Sequence, residues 1–198
     1  MKKMTLILIL LGLAGCSSAP EDRLEVVSDF DVTRYMGLWH QAAAIPAWFQ
    51  RNCVADTTAS YRLLENERVE VINRCLDQDG VAIVADGRAR FQGSKAVPIL
   101  EVSFVEILGM WVWAAGGDYW VIGMDPEYQW AVVGEPSLTY AWVLARDKTM
   151  DAAALIAVNA VLVKAGYDSC TVILTMPDAH GAVCDWARSD PVTHPQAP

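Results

Sequence analysis

The chain has 198 residues, 54% of them hydrophobic, and a formal net charge of −9. This length suits one domain, and the apolar share is enough to fill a substantial core. The acidic balance excludes a nucleic-acid partner, which needs a basic face, and adhesion to a membrane through a polybasic patch.

In chain order, the first feature is a leader. Lys2 and Lys3 precede an apolar run from Met4 to Leu13. That run is too short for a transmembrane helix, which needs about 20 residues. Basic, then apolar, then small residues is the grammar of a secretory signal. Its end, Leu13-Ala14-Gly15-Cys16, resembles the bacterial lipobox. The resemblance implies cleavage before Cys16 and acylation of its thiol, with each buried methylene worth roughly 0.8 kcal/mol of anchoring. Ser17 is not the aspartate that retains such lipoproteins at the inner membrane. The implied location is therefore the bacterial outer membrane, facing the periplasm. The expected organisation is a leader over 1–15, a lipid-anchored linker over 16–29, a folded domain over 30–178 and a Pro-rich tail over 179–198.

Strand-like segments separated by turn residues dominate the folded part. They are "LWHQAAAI", "TTASYRLL", "VEVINRCL", "AIVADGRARF", "ILEVSFV", "DYWVIGMD", "YQWAVVGE" and "YAWVLAR". Most connections are short, so neighbours should pair antiparallel as a meander. Two longer connections are rich in aromatics: "IPAWFQRN" and the stretch holding Met110, Trp111, Val112 and Trp113. Exposed apolar loop residues mark contact surfaces. The second loop fits contact with a bilayer, a cap on the barrel mouth, a homodimer, or simple folding back over the sheet.

One helix follows, in "DKTMDAAALIAVNAVLVKAG". Thr149 is expected as its N-cap and Gly166 as its C-cap. Leu155, Val158, Leu162 and Ala165 recur at helical spacing, with Ile156 and Val161 broadening the stripe. "CTVILT" after it reads as a ninth strand.

An open meander of eight strands leaves two unpaired edges, and closure removes both. Eight strands make a barrel just wide enough for side chains or one small ligand. Arg62, Glu70, Arg74 and Arg88 recur within the strands. The outer face is thus polar, unlike that of a membrane barrel, and the apolar face points inward. The expected fold is all-β: an eight-stranded antiparallel up-and-down barrel, a helix packed outside, and a short ninth strand.

With Cys16 set aside for lipid, Cys53, Cys75, Cys170 and Cys184 remain. An oxidising periplasm allows two disulfides, and four cysteines allow three pairings. Nearness in sequence favours Cys53–Cys75 and Cys170–Cys184. A simple hairpin through Glu65-Asn66-Glu67 sets Cys75 nearer Thr57 than Cys53. That pairing therefore needs the start of the strand to bend. The cysteines and histidines lack metal-ligand spacing.

The segments "DVTRYMGLWHQAA", "TTASYRLLENERVEVINR", "DYWVIGMDPEYQWAVVGEP" and "YAWVLAR" stand in the order and at the distances of the lipocalin family. The chain resembles that family over about residues 28–175, and especially its bacterial outer-membrane lipoproteins and apolipoprotein D. Gly37 suits a close turn beneath the barrel, and Trp39 is large enough to plug its base. The resemblance implies that Arg146 lies across the Trp39 ring and hydrogen-bonds nearby carbonyls. All three are read as structural, as is the Asp125-Pro126-Glu127-Tyr128 turn.

The same resemblance implies that Asn73, Trp120 and Trp142 face ligand, with Tyr61 as a fourth. The indoles would give apolar walls, and Asn73 and Tyr61 hydrogen bonds to a polar head. The implied function is carriage or storage of a fatty acid, lysophospholipid or similar amphiphile, with no cofactor. Alternatives within the family are a tetrapyrrole or carotenoid carrier, or a cavity enzyme of isomerase or de-epoxidase type with a free Cys75 as nucleophile. No catalytic constellation supports an enzyme: Gly-x-Ser-x-Gly is absent, His40 alternates outward from Trp39, and His180 and His194 fall near the C-terminus.

Overall fold

A computed structural model describes residues 24–188. The leader, the acylation expected at Cys16, and His194 lie outside the described residues. The elements run α1 (Val32–Tyr35), β1 (Gly37–Ala44), β2 (Ala55–Leu63), β3 (Val69–Leu76), β4 (Ala82–Phe91), β5 (Ile99–Ser103), β6 (Glu106–Ile107), β7 (Met110–Trp111), β8 (Gly117–Met124), β9 (Trp130–Gly134), β10 (Ala141–Ala145), α2 (Ala152–Lys164), β11 (Ile173–Leu174) and α3 (Val183–Arg188). β1 to β5 and β8 to β10 pair antiparallel with their sequence neighbours, β5 pairs with β8, and β10 returns to β1, His40 opposite Ala145 and Ala44 opposite Trp142. The barrel is therefore closed. β11 lies outside it, pairing with Ala43 and Ala44, and the β6–β7 hairpin stands apart as its own small sheet.

Strand alternation builds an inner core. Trp39, Tyr61, Val69, Val71, Val121 and Val133 are buried in it. A second core lies outside the barrel, where Leu155, Val158 and Leu162 of α2 pack on Ala43, Val132 and Val143. β9 is covered on both faces, so Val132 and Val133 are both fully buried. That accounts for its unbroken apolar run. Gly123 lets α2 approach β8: a Cβ there would lie 2.5 Å from Val161 Cγ1.

The helix begins two residues later than expected. Asp151, not Thr149, caps it, accepting a hydrogen bond from Ala154 N at 2.8 Å. Its far end closes as expected at Gly166, with Gly166 N bonding Val163 O and Tyr167 N bonding Leu162 O, the paired bonds of a Schellman motif. Ile156 is exposed and does not widen the buried stripe. Residues 24–29, expected as linker, belong to the fold: Leu24 packs on the outer core, and Val27 N bonds Val121 O at 3.0 Å. The expected tail is also folded as far as α3, where Val183 is fully buried. The structure holds the disulfides Cys53–Cys75 and Cys170–Cys184. The bend that the first one requires is present. The β2–β3 register shifts by one residue between Ala55 and Thr58, with Asp56 at φ 48°.

Candidate functional site

The barrel has one closed and one open end. At the closed end Gly37 sits at φ 99°, a conformation that side chains resist, and turns the chain from α1 into β1. Trp39 is fully buried and donates from Nε1 to Tyr35 O at 2.8 Å. The Arg146 guanidinium lies 3.6 Å from the centroid of a Trp39 ring. It also donates to Leu38 O, Arg34 O and Met36 O at 2.8, 2.7 and 3.0 Å. Tyr128, in the Asp125–Tyr128 turn, accepts from Asp31 N at 2.7 Å and carries Arg34 over its ring. These contacts tie α1 to the last barrel strand and seal the base.

Above the seal three tyrosine hydroxyls form a chain. Tyr35 Oη and Tyr119 Oη are 2.7 Å apart, and Tyr119 donates to Tyr61 Oη at 3.1 Å. Burial pushes the Tyr61 hydroxyl up to about 12 and those of Tyr35 and Tyr119 well above the ordinary value. All three stay neutral at physiological pH, as hydrogen-bonding groups rather than charges.

The cavity above has a volume of about 740 Å³, within the range of small-molecule sites. Its walls are mainly apolar: Val71, Ala85, Ala89, Phe91, Leu100 and Leu144 among them. Asn73 is on the same inward face of β3 as Val71. Its Oδ1 is buried and makes no hydrogen bond with the protein, so it can accept from a ligand hydroxyl or amine. Trp142 stands near the mouth, stacked beside Tyr140 at 6.0 Å. Its Nε1 donates to Gln50 Oε1 at 3.1 Å, and Gln50 Nε2 donates to Gln41 Oε1 at 3.1 Å. This chain of bonds brings the Trp48–Gln50 turn over the opening, with Phe49 5.4 Å from Tyr140.

Of the four expected ligand-facing residues, Asn73, Tyr61 and Trp142 line this cavity and Trp120 does not. Tyr119 holds that part of the wall, and Trp120, next in β8, alternates to the outer face. Sequence reasoning missed Tyr35 and Gln50; Phe49 it placed in the aromatic loop after the first strand, and the structure sets it against the cavity. Alternation from Val121 could have selected Tyr119, but no local pattern brings Gln50 to Trp142.

The long loop between β5 and β8 does two things. Its tryptophans fold back onto the barrel exterior, with Arg88 5.0 Å from a Trp111 ring centroid and Arg90 4.5 Å from one of Trp113. Within the same loop β6 and β7, the latter carrying Trp111, form a hairpin that the sequence pattern did not suggest.

Cys75 lines the cavity, but its sulfur is bonded to Cys53, so the nucleophile that a thiol enzyme requires is tied up. No cluster of potential metal ligands exists among the described residues.

Comparison with known proteins agrees with this architecture. The family model for a lipocalin-like domain matches residues 30–177. The outer membrane lipoprotein Blc of Escherichia coli K12 is 33% identical over 158 residues, which is 79% of this chain and 85% of that protein. Mouse apolipoprotein D is 28% identical, covering 79% of each chain. Among solved structures, insecticyanin from the tobacco hornworm Manduca sexta superposes with a TM-score of 0.60 at 19% identity, covering 77% of this chain and 83% of its own. The chain belongs to the lipocalin family, whose members bind small hydrophobic ligands.

Proposed function

We propose that the protein is a lipid-anchored carrier at the outer membrane, facing the periplasm, that holds a fatty acid, lysophospholipid or similar amphiphile in its barrel. The observation that carries this reading is the cavity of about 740 Å³, apolar along its walls and polar at a few points. Long acyl chains suit such a space, and burying one could yield about 10 kcal/mol gross at roughly 0.8 kcal/mol per methylene. Ordering and desolvation offset much of that, so micromolar to submicromolar affinity is expected. Asn73 and the tyrosine hydroxyls offer hydrogen bonds to the ligand's polar group, and Trp142 closes over it. The similarity to an outer membrane lipoprotein and the lipobox-like Leu13–Cys16 support the anchoring.

The test is titration of delipidated protein with long-chain fatty acids and lysophospholipids, read by tryptophan fluorescence and calorimetry. Saturable binding is expected, weakened at least several-fold by Trp142→Ala. Flat fluorescence together with no heat of binding would refute the carrier reading.

A further inference from the structure

Four connections ring the open end of the barrel: residues 45–54, 77–81, 104–116 and 135–140. Two of them, on opposite sides of the mouth, hold large apolar side chains in solvent. Trp48 and Phe49 are 70% and 52% exposed in one; Leu108 and Met110 are 93% and 67% exposed in the other. The second tip is firmly built. Ser103 Oγ donates to Val112 O at 2.8 Å, Val112 N donates to Val105 O at 2.9 Å, and Ile107 pairs with Met110. The neighbouring tryptophans are secured on Arg88, Arg90 and Arg68 along the barrel flank, so the hairpin base is fixed while its apolar turn projects. Apolar groups held outward in this way mark a contact surface.

The start of the described chain indicates what that surface meets. Glu25 pairs with Lys164 at 2.8 Å, at the last residue of α2. Just beyond, Tyr167 Oη accepts from Glu135 N at 2.8 Å and donates to Tyr140 O at 3.0 Å, both in a loop of the rim. From there the N-terminal segment runs toward the closed end, where Asp31 meets Tyr128. The chain thus joins the fold on the side nearer the mouth. Leu24 lies eight positions after Cys16, with seven residues between them, a reach of at most about 28 Å at 3.3–3.6 Å per step. A chain acylated at Cys16 would therefore be held with its mouth, not its base, toward the lipid.

We infer that the open rim docks on the bilayer, with the tips at Trp48–Phe49 and Leu108–Met110 inserted at the lipid interface on either side of the cavity mouth. This extends the carrier reading and rests on it for the purpose of the contact: the amphiphile passes between membrane and barrel without crossing water. The rim connections carry Asp77, Asp79, Glu106 and Glu135 against the single cation Arg51, so the surface suits zwitterionic rather than anionic lipid. Two separate protruding tips suit a fluid layer that conforms to them better than the flat face of a second copy.

The test uses the full-length chain, extracted from membranes and reconstituted into phosphatidylethanolamine–phosphatidylcholine vesicles. An environment-sensitive fluorophore is placed at Leu108→Cys or, as a reference in the Asp125–Tyr128 turn of the closed end, at Glu127→Cys. Lipids brominated along the acyl chain should quench the first at least twofold and leave the second unchanged. No quenching at position 108, or equal quenching at both, overturns the proposal. So does a spectral change at 108 that needs no lipid and grows with protein concentration, which would indicate a second copy. Amphiphile affinity of Leu108→Asp in solution should equal that of the unaltered protein. If neither protein binds amphiphile, it is the carrier reading that fails, and the quenching result stands separately.

Discussion

Replacing Arg146 by alanine tests how the closed end is held. The guanidinium is 3.6 Å from a Trp39 ring centroid and donates three bonds of 3.0 Å or less to the carbonyls of Leu38, Arg34 and Met36. The ring contact contributes about 1–2 kcal/mol in a partly desolvated site. Each charged hydrogen bond would contribute about 1.5 kcal/mol or more if buried. Water can reach two of these carbonyls once the side chain is gone, so about 1 kcal/mol each is the better figure. The expected loss is about 4–5 kcal/mol, a large fraction of the 5–15 kcal/mol typical of a domain. Urea unfolding of the oxidised protein, followed by tryptophan fluorescence, measures it. With a slope of about 2 kcal/mol per molar urea, the midpoint should fall by about 2 M. Arg146→Lys should recover only part, because an ammonium cannot span three carbonyls in a plane. Arg146 is not a lining residue of the cavity, so folded Arg146→Ala should bind amphiphile within about twofold of the unaltered protein. A midpoint shift equivalent to less than about 1 kcal/mol would show that the base is held by Trp39 packing alone.

Two further predictions concern the floor and the outer core. The hydroxyls of Tyr35, Tyr61 and Tyr119 titrate higher in the folded barrel than in the unfolded chain, mainly because of burial. Their contribution is fully present below the ordinary tyrosine value of about 10 and is lost as pH rises toward the folded value. Stability should therefore be level in this respect up to about pH 9 and fall above 10. Tyr61→Phe should reduce that slope by up to about 1.4 kcal/mol per pH unit, as urea midpoints between pH 7 and 11 will show; an unchanged slope would mean Tyr61 ionises as freely folded as unfolded. At Gly123 an added Cβ would lie 2.5 Å from Val161 Cγ1. Gly123→Ala should cost about 1–3 kcal/mol by overpacking, and Val161→Ala in the same chain should relieve most of it; absence of that rescue in thermal unfolding would place the strain elsewhere.

How much of this was legible beforehand depended on where the two faces of a strand differ. β3 sets the charged Glu70 and Arg74 on one face and the buried Val69, Val71 and Cys75 on the other, so Val71 and Asn73 could be assigned to one face by alternation. β8 is different. Its inner residues Tyr119 and Val121 meet the barrel core, and Ile122 and Gly123 meet α2 and its surroundings. Apolar residues on both faces erase the alternation, and resemblance selected Trp120 where the fold uses Tyr119. The same loss of contrast hid the helix start. Met150 is occupied by Met176, its N–H lying 3.1 Å from the thioether sulfur, and Asp151 takes the capping role. No local pattern could reveal a partner 26 residues away.

The sequence by itself determined that strands would alternate and close and that one helix would lie outside, and its resemblance to the lipocalins implied that Trp39 and Arg146 would meet at the base. Those outcomes follow from periodicity, from unpaired sheet edges and from an ordered set of motif residues, all carried in short stretches of chain. Tertiary structure alone decided how the mouth is framed. Gln50 reaches Trp142 across 92 residues of sequence, Trp111 and Trp113 fold onto arginines of β4, and residues 24–29 join the barrel wall. Such contacts arise because closing the sheet brings distant loops to one end, where packing and hydrogen bonding choose among partners that local sequence leaves equivalent.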